Sequence, residues 1–359
     1  MRAFLSGIRE GIAIDWPILA GAGGVWSALV LMLAAKGVDG LQVSSYAANL
    51  LLYLLGLALM ALWVVGTMLY RVRPDSPIRF IASLVASGGW ARRFARGLPM
   101  LTALIVFMPA FSALKSAIAR FTSYSWDPTW IALDRVIHGT DAWRLLQPLL
   151  GYPIVTSLLS VAYVLWFFLI YSGSIYFCFL SRDAERRARY FISYFATWTV
   201  CGVCLAIAFA SVGPCFVGPL MGIHTFDAQM AYLNAANEHY PVLILKAESF
   251  ILNAQIHADH GLGAGISAMP SMHVAMALLF ALAIAPVSKL ARIGGFAFFA
   301  TIQVATVHLA AHYAVDGYMA AIATLSLWML AKPLARWVTG GSRFGAMAAG
   351  PASAEPAAA

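Results

Sequence analysis

Long apolar runs alternate with short polar connections along most of the chain, and this pattern predicts membrane-spanning helices. A helix needs about 20 consecutive apolar residues to cross the hydrocarbon core of a bilayer. Eight runs approach or exceed that length, near residues 14–35, 46–70, 98–114, 151–180, 190–212, 271–288, 293–312 and 317–335. We therefore predict an all-α, polytopic membrane helix bundle. The first run is rich in glycine and tryptophan, which favours a retained helix over a signal peptide.

The composition points to lipid as the solvent. Apolar residues make up 62% of the chain and charged residues 11%, whereas a soluble domain averages about 45–50% and 25%. The mean hydropathy is +0.80. Cys178, Cys201 and Cys204 lie in apolar runs, so we expect them to pack as small hydrophobic residues rather than to bind zinc or form disulfides.

Basic residues are distributed unevenly between the two sides of the predicted bundle. If the N-terminus is cytoplasmic, 17 of the 23 Lys and Arg residues fall in the cytoplasmic segments 1–13, 71–97, 181–189, 289–292 and 332–359. Positive charge favours the cytoplasmic side, so both termini are predicted to be cytoplasmic, and we expect a multi-pass protein of a bacterial inner membrane. The net charge of +8 is expected to contact anionic lipid headgroups, and nucleic acid is not expected as a partner.

The chain divides into three predicted segments. Residues 1–97 are expected to form a two-helix transmembrane hairpin followed by an arginine-rich cytoplasmic loop. Residues 98–338 hold the six remaining runs and the candidate chemistry, and are predicted to be a six-helix catalytic core. The tail, residues 339–359, has low complexity and is expected to be disordered.

Two predicted outer segments are longer than simple loops. Residues 115–150 combine charged residues with Trp126, Trp130 and Trp143, which favours a helix in the membrane interface with its aromatic face toward lipid. Residues 213–269 contain a predicted helical stretch near 226–257. Because connections of this length are usually functional, we expect the second segment to cover a site.

Two histidines mark the predicted outer ends of neighbouring spans. His273 and His312 are 39 residues apart, close to the length of two spanning helices of about 17–20 residues each, so a helical hairpin returns both imidazoles to one membrane face. Asp316 follows His312 by four residues, on the same side of a helix. Its carboxylate can hold one ring nitrogen and leave the other free as a nucleophile or base. Ionisable groups at such positions are candidates for function.

The other histidines admit simpler interpretations. A single histidine in a membrane helix is usually packed and hydrogen-bonded, and this interpretation is favoured for His308, which is also retained as a substrate-binding candidate. His257, Asp259 and His260 could bind a metal, but their spacing in a predicted loop favours a solvated segment. We expect neither a metal nor another cofactor.

The motifs around the paired histidines resemble a known family. Pro270-Ser271-Met272-His273, followed by His312-x-x-x-Asp316, is similar to the second and third signatures of the membrane type 2 phosphatidic acid phosphatase (PAP2) superfamily. Within it, Thr306-Val307-His308-Leu309-Ala310-Ala311-His312-Tyr313 resembles the branch of the aureobasidin-sensitive inositol phosphorylceramide synthases and, more distantly, sphingomyelin synthases. Leu133-Asp134-Arg135 with Gly139, and Gly213-Pro214, also fit that branch. The resemblance covers roughly residues 98–335 and leaves out the N-terminal pair of helices.

The resemblance implies a covalent mechanism. His312 would attack phosphorus to form a phosphohistidine, Asp316 would fix its tautomer, and His273 would protonate the leaving oxygen and then deprotonate the incoming water or alcohol. The residues alone agree, because phosphoryl transfer needs an in-line nucleophile, an acid and positive potential around the phosphoryl oxygens. The backbone N–H groups of Ser271 and Met272, at a predicted helix start, are expected to favour an anion.

The sequence departs from the superfamily pattern at the cations that bind phosphate. Thr306 occupies the position of the arginine six residues before the nucleophilic histidine, and the Lys-x6-Arg-Pro first signature is missing. Other cations must then bind phosphate. Lys115, at the outer end of the third predicted span, is the first candidate, followed by Arg135 and Lys246. Taken singly, each could instead be a lipid-headgroup anchor or a solvated charge.

Three functions remain open at this point. The first hypothesis is a phosphotransferase that moves a phosphoryl or phospho-headgroup between lipids at the outer membrane face, similar to the inositolphosphotransferases of sphingolipid metabolism. The second is a phosphatase for phosphatidate, polyprenyl phosphate or a related lipid phosphate monoester. The third is a catalytically inert transporter or scaffold, which the intact triad disfavours. The expected partners are the bilayer and a lipid phosphate or phospholipid substrate.

Overall fold

The computed structural model describes residues 1–86, 89–257 and 265–348, and in these ranges the protein contains helices and no β-strand. The all-α prediction is confirmed. The helices are Arg2–Ala35 (α1), Val43–Val72 (α2), Pro77–Ala86 (α3), Gly89–Ser116 (α4), Asp127–His138 (α5), Ala142–Leu150 (α6), Pro153–Phe179 (α7), Ala184–Ala208 (α8), Pro214–Met221 (α9), Asp227–His239 (α10), Leu243–Ile256 (α11), Met272–Ile284 (α12), Lys289–His308 (α13) and Ala314–Ala348 (α14).

Seven of the described helices, α1, α2, α4, α7, α8, α13 and α14, are long and apolar enough to cross a membrane. The chain is therefore an integral, multi-pass membrane protein. The eighth predicted span, 271–288, is wrong in length, because α12 contains only 13 residues. Such a helix rises about 20 Å, less than the ~30 Å of a hydrocarbon core. The Ser271 side chain caps its start, and Pro286 disfavours helix at the residue before it.

Helix α12 lies at the centre of the bundle in spite of its length. It packs against α7, α8, α13 and α14, and most of its side chains are buried. Protein rather than lipid surrounds it, so the polar groups at its start can be satisfied by neighbouring helices. A short central helix therefore brings the chain around its N-terminus into the interior.

Helix α1 packs closely along α4. Gly7 and Gly11 make this possible, because a Cβ atom at either position would overlap the carbonyl oxygen of Arg92 or Arg96 on α4. Close approach of two backbones through small residues is a common way for membrane helices to associate. The first helix is thus part of the bundle.

Buried polar contacts also fix the N-terminal helices. On α2, the Asn49 amide nitrogen donates to the Ile105 carbonyl at 2.9 Å, and its amide oxygen accepts from the Tyr171 hydroxyl at 2.9 Å. On α1, Asp15 forms a bidentate pair with Arg187 of α8, with N–O distances of 2.6 and 2.8 Å. Both helices are thereby joined to the helices that carry the candidate chemistry.

The described helices extend past both ends of the predicted core. The arginine-rich stretch predicted as a loop is largely helical, because it contains α3 and because α4 begins at Gly89 rather than near 98. At the other end, α14 continues to Ala348, into the segment 339–359 that was predicted to be disordered. Residues 349–359 lie outside the described residues.

The outer segment 115–150 forms α5 and α6, but the predicted lipid-facing aromatic surface is wrong. Trp130 and Trp143 are buried in the protein. The ring of Trp126 stacks on Trp130, with centroids 5.2 Å apart, and Phe209 of the segment after α8 packs edge-on against both. Stacked rings bury a large apolar area, and the sequence spacing is the same whether that area meets lipid or a neighbouring helix.

The second outer segment consists largely of α9, α10 and α11, so the helical stretch predicted near 226–257 is observed, with a break at residues 240–242. Helices α10 and α11 pack against α7. Residues 258–264 of this segment lie outside the described residues.

Candidate active site

The three side chains of the paired motifs come together at one end of the bundle. His273 lies in the first turn of α12, His312 in the turn between α13 and α14, and Asp316 in the first turn of α14. The centroids of the two imidazole rings are 6.2 Å apart. The two rings are therefore close enough for one substrate group to contact both.

Backbone hydrogen bonds shape the turn that carries His312. The Thr306 carbonyl accepts from the N–H groups of Ala311 and His312, each at 3.0 Å, and Ala310 has a left-handed φ of 58°. The Thr306 hydroxyl donates to the Gln303 carbonyl at 2.8 Å. The residue that replaces the superfamily arginine therefore contributes to the geometry of the turn through its backbone.

One ring nitrogen of His312 is paired with a carboxylate. Its Nδ1 lies 3.3 Å from Oδ2 of Asp316, and the same oxygen accepts from the Tyr313 N–H at 3.1 Å. Both His312 and Asp316 are buried. An Nδ1–H that donates to the carboxylate leaves the lone pair on Nε2, and this is the arrangement that a nucleophilic imidazole requires.

His273 is held between two aromatic rings. Tyr163 stacks on one side of the imidazole with centroids 4.0 Å apart, and Trp166 stacks on it at 3.9 Å. The Tyr163 hydroxyl is 3.0 Å from Nδ1, and the Trp166 indole N–H donates to the His273 carbonyl at 2.9 Å. The other ring nitrogen, Nε2, is buried without a hydrogen-bond partner, so it is free to exchange a proton with a substrate.

Lys115, in the last turn of α4, is the predicted cation that reaches this site. Its ammonium lies close enough to His273 and His312 to interact electrostatically with both. Gly265 packs against it, and a Cβ there would overlap the backbone between Lys115 and Ser116 as well as the Lys115 side chain. Burial and, second, the charge on Lys115 lower the pKa of His312 well below its ordinary value, so the imidazole is neutral at neutral pH.

The other two candidate cations lie elsewhere. Arg135 donates from Nε to Asp141 at 2.6 Å, and its side chain is half-exposed. Lys246 is exposed on α11. Among the described residues, neither contacts His273 or His312.

Ser271 and His308, the other two substrate-binding candidates, make hydrogen bonds within the protein. The Ser271 hydroxyl accepts from the Val274 N–H at 3.4 Å as the cap of α12. Its backbone N–H, predicted to favour an anion, instead donates to the Asp316 carbonyl at 3.1 Å. His308 is buried, with Nε2 2.9 Å from the Thr156 hydroxyl.

Asp134 anchors the helix that carries Asp316. Its two carboxylate oxygens accept from the N–H groups of Ala314 and Val315, each at 3.0 Å. These are the first residues of α14, where free N–H groups favour a carboxylate. The sequence offered Asp134 only as part of a family-like string, with no indication that it lies at the start of a helix 180 residues away.

Asp127 is a second anchor, and sequence reasoning missed it. Its carboxylate accepts from the N–H groups of Val212 and Gly213 at 2.9 and 3.0 Å, and from the Tyr313 hydroxyl at 2.8 Å. It therefore joins the start of the outer segment to the residue after His312. The only local signal is the following proline, Pro128, which indicates a helix start and nothing about the site.

Glu248, on α11, is a further buried carboxyl that the sequence did not suggest. It lies near the Cys215 thiol and the Tyr163 ring that stacks on His273. Burial raises the pKa of Glu248 to about 8, so the group is mainly protonated at neutral pH. A neutral carboxyl beside Tyr163 adds no negative charge to the phosphate-binding region.

The described residues contain no cluster of three or more His, Cys, Asp or Glu side chains with the geometry of a metal site. His257 bonds the Asn253 carbonyl through Nδ1 at 2.8 Å. Asp259 and His260, the other members of the metal alternative, lie outside the described residues. All four cysteines are free thiols.

The comparison with known families gives one match. The model of the PAP2 superfamily matches residues 128–331, more than half of the chain. This range includes His273, His312 and Asp316, whereas Lys115 precedes it. A search of curated proteins and a search of solved structures gave no match.

Proposed function

Since the chain belongs to the PAP2 superfamily, and is therefore a membrane enzyme of the lipid phosphatase and phosphotransferase type, we propose that it is a phosphotransferase acting through a phosphohistidine on His312. It moves a phosphoryl or phospho-headgroup from one lipid to another, as an inositolphosphotransferase does. The observation that carries the proposal is the pairing of Nδ1 of His312 with Asp316, beside an Nε2 of His273 that has no hydrogen-bond partner. The centroids of the two imidazole rings are 6.2 Å apart.

The proposed first step forms an N–P bond. Nε2 of His312 attacks the donor phosphorus, the P–O bond to the leaving group breaks, and Nε2–H of His273 protonates the leaving oxygen. His273 enters this step as an imidazolium whose Nδ1–H donates to the Tyr163 hydroxyl. It leaves the step as a neutral ring that keeps the proton on Nδ1 and has given up the proton on Nε2. The positive charge of Lys115 stabilises the charge on the phosphoryl oxygens.

The second step reverses the roles of the groups. Nε2 of His273, now a base, takes the hydroxyl proton of an acceptor alcohol, whose oxygen attacks the phosphohistidine. The N–P bond breaks and His312 returns to its neutral state. An alcohol acceptor is favoured over water because His312 and Nε2 of His273 are buried, which limits access of water to the intermediate.

We further propose that this end of the bundle faces the periplasm and that both termini are cytoplasmic. The support is the distribution of 17 of 23 basic residues in segments on the other side. The six-helix catalytic core then comprises α4, α7, α8, α12, α13 and α14, with α1 to α3 as an addition to it.

The test uses purified protein and donors radiolabelled at phosphorus. A panel of lipid phosphates and phospholipids is incubated with and without lipid alcohols, and labelled lipid product is separated from free phosphate. We expect acceptor-dependent lipid product, and a protein-bound label that is stable to alkali and lost in acid. Release of free phosphate alone, with no transfer to any alcohol, would establish the phosphatase alternative instead.

His312→Gln tests the nucleophile, and His239→Gln, at an exposed histidine on α10, is its matched control. We expect His312→Gln to lose both turnover and bound label, while the control retains both. His273→Ala should lose turnover by about 10²- to 10⁴-fold, the usual contribution of a positioned acid or base. Turnover in His312→Gln equal to that of the control would rule out the covalent mechanism.

A further inference from the structure

An arginine-lined cavity of about 380 Å³ lies at the end of the bundle opposite the histidines. Residues of α1, α4, α8 and the end of α7 form its walls. The charged side chains that line it are Glu10, Arg92, Arg93, Arg96, Arg182 and Arg187. Along α4, the 22 residues from Arg93 to Lys115 rise about 33 Å, which is the thickness of a hydrocarbon core. The cavity therefore lies at the other membrane face.

Only part of the positive charge in this cavity is balanced. Glu10 lies 3.0 Å from Nη2 of Arg92 and 3.5 Å from Nη1 of Arg96, so one carboxylate serves two guanidinium groups. Asp15 pairs with Arg187. Five arginines thus share two carboxylates.

Arg93 and Arg182 have no carboxylate partner among the described residues. Arg93 donates from Nε and Nη2 to the carbonyls of Phe179 and Leu180 at 3.2 and 3.3 Å, which orients the guanidinium without neutralising it. Arg182 is exposed. A phosphate group in the cavity would meet guanidinium groups whose planar N–H donors suit its oxygens.

An apolar cavity of about 450 Å³ adjoins the first one. Its lining residues include Leu57, Met60, Val64, Met68, Ile81 and Phe94. Arg93 and Phe179 line both cavities, and the rings of Phe94 and Phe179 stack with centroids 4.9 Å apart. A charged compartment and an apolar compartment therefore share one wall, which is the arrangement that an amphiphile requires.

We propose that these two cavities bind one anionic phospholipid from the leaflet opposite the catalytic histidines. Its phosphate lies between Arg93 and Arg182, and one acyl chain occupies the apolar cavity. Both volumes fall in the range of small-molecule sites, about 300–1,000 Å³. A zwitterionic lipid would bring an ammonium group into a cavity with excess positive charge. The ligand is distinct from the substrate because the two sites are separated by the thickness of the membrane.

Most residues that line the two cavities lie in helices that precede residues 128–331, the range that matches the family model. Helices α2, α3 and α4 provide most of the apolar lining, and α1 and α4 provide Glu10, Arg92, Arg93 and Arg96 of the charged lining. A lipid bound there would contact α1 and α2, both of which also pack against α4.

The experiment measures lipid retention by the full chain, without any assay of turnover. Protein is equilibrated in vesicles of phosphatidylcholine and phosphatidylglycerol in equal parts, extracted into mild detergent, and examined by native mass spectrometry. Arg182→Gln removes the positive charge of a side chain that makes no hydrogen bond among the described residues. Val64→Trp fills the apolar cavity. Arg79→Gln, at an exposed arginine of α3 outside both linings, is the matched control.

We expect one phosphatidylglycerol to be retained in preference to phosphatidylcholine. Retention should fall about tenfold in Arg182→Gln, as for the loss of one charge-assisted contact, fall similarly in Val64→Trp, and be unchanged in Arg79→Gln. Equal retention of both lipids would overturn the proposal, as would wild-type retention in Arg182→Gln. If inorganic phosphate displaces the lipid and Val64→Trp has no effect, the cavity binds a free anion and the lipid assignment is wrong.

Discussion

The two ring nitrogens of His312 differ because only Nδ1 has a carboxylate beside it. A neutral imidazole carries one proton, and only the nitrogen without this proton has a lone pair that can attack phosphorus. Asp316 Oδ2 also accepts from the Tyr313 N–H, so the carboxylate is oriented by the backbone of the same turn. His273 is oriented differently, by the hydroxyl and ring of Tyr163 and by Trp166. One histidine is thus placed by a charge and the other by aromatic packing.

Lys115→Ala tests whether this cation binds the phosphoryl group. In a site shielded from water, we expect the substitution to cost about 2 to 4 kcal/mol of transition-state stabilisation, measured as the fall in kcat/KM. Lys115→Arg should recover only part of the loss, because a planar guanidinium and a compact ammonium hold phosphate differently.

Arg135→Ala and Lys246→Ala are the controls, since neither residue contacts the histidines. Both should keep kcat/KM near the wild-type value. If Lys115→Ala behaves like these controls, Lys115 is a headgroup anchor, and backbone N–H groups must hold the phosphoryl oxygens.

The residues that could be predicted from sequence are those that follow local periodicity. His273, His312 and Asp316 were found because their spacing corresponds to helix geometry and span length. Tyr163 could not be found in this way, because it meets His273 across 110 residues of sequence and a tyrosine in an apolar run is usual. Glu248 was missed for a related reason, since its helix has no apolar pattern that marks it as buried.

At the level of helices, the apolar run that includes α12 shows that hydropathy does not predict the length of a helix. The apolar residues 271–288 have the composition of a span, but the described helix ends at Ile284, before Pro286. Composition indicates burial, and it does not distinguish burial in lipid from burial among other helices. The same ambiguity explains Trp130 and Trp143, which face neighbouring helices rather than lipid.

The start of α14 gives a prediction at this scale. Asp134→Ala removes both acceptors of the Ala314 and Val315 N–H groups, so we expect a loss of about 1 to 2 kcal/mol in stability, as for a lost helix cap. Because Asp316 lies in the same turn, kcat should also fall, by about 10- to 100-fold.

The matched control is Asp227→Ala, an exposed acid in the first turn of α10 that pairs with His224. Thermal unfolding in detergent and turnover are measured for both variants. Equal behaviour of Asp134→Ala and Asp227→Ala would mean that the buried anchor does not position the catalytic turn.

Across the whole molecule, the two ends of the bundle carry different sets of basic residues. One end gathers His273, His312 and Lys115, and the other gathers the arginines of α4 and α8. The approximate positions of the seven long helices could be predicted from hydropathy, and the charge distribution supplies an orientation. The packing of α1 along α4 could not be predicted from sequence. It depends on Gly7 and Gly11, and glycines also occur in helices that face lipid.

The orientation itself can be tested by cysteine labelling. Glu238→Cys lies at the exposed end of α10, beside the catalytic end, and Lys289→Cys lies at the exposed start of α13, about 29 Å along that helix from His308. An impermeant maleimide applied to intact cells should label Glu238→Cys and leave Lys289→Cys unlabelled until the cells are permeabilised. The wild-type protein, whose Cys204 is exposed, provides the baseline. Labelling of Lys289→Cys alone in intact cells would place the histidines on the cytoplasmic side, against the distribution of basic residues.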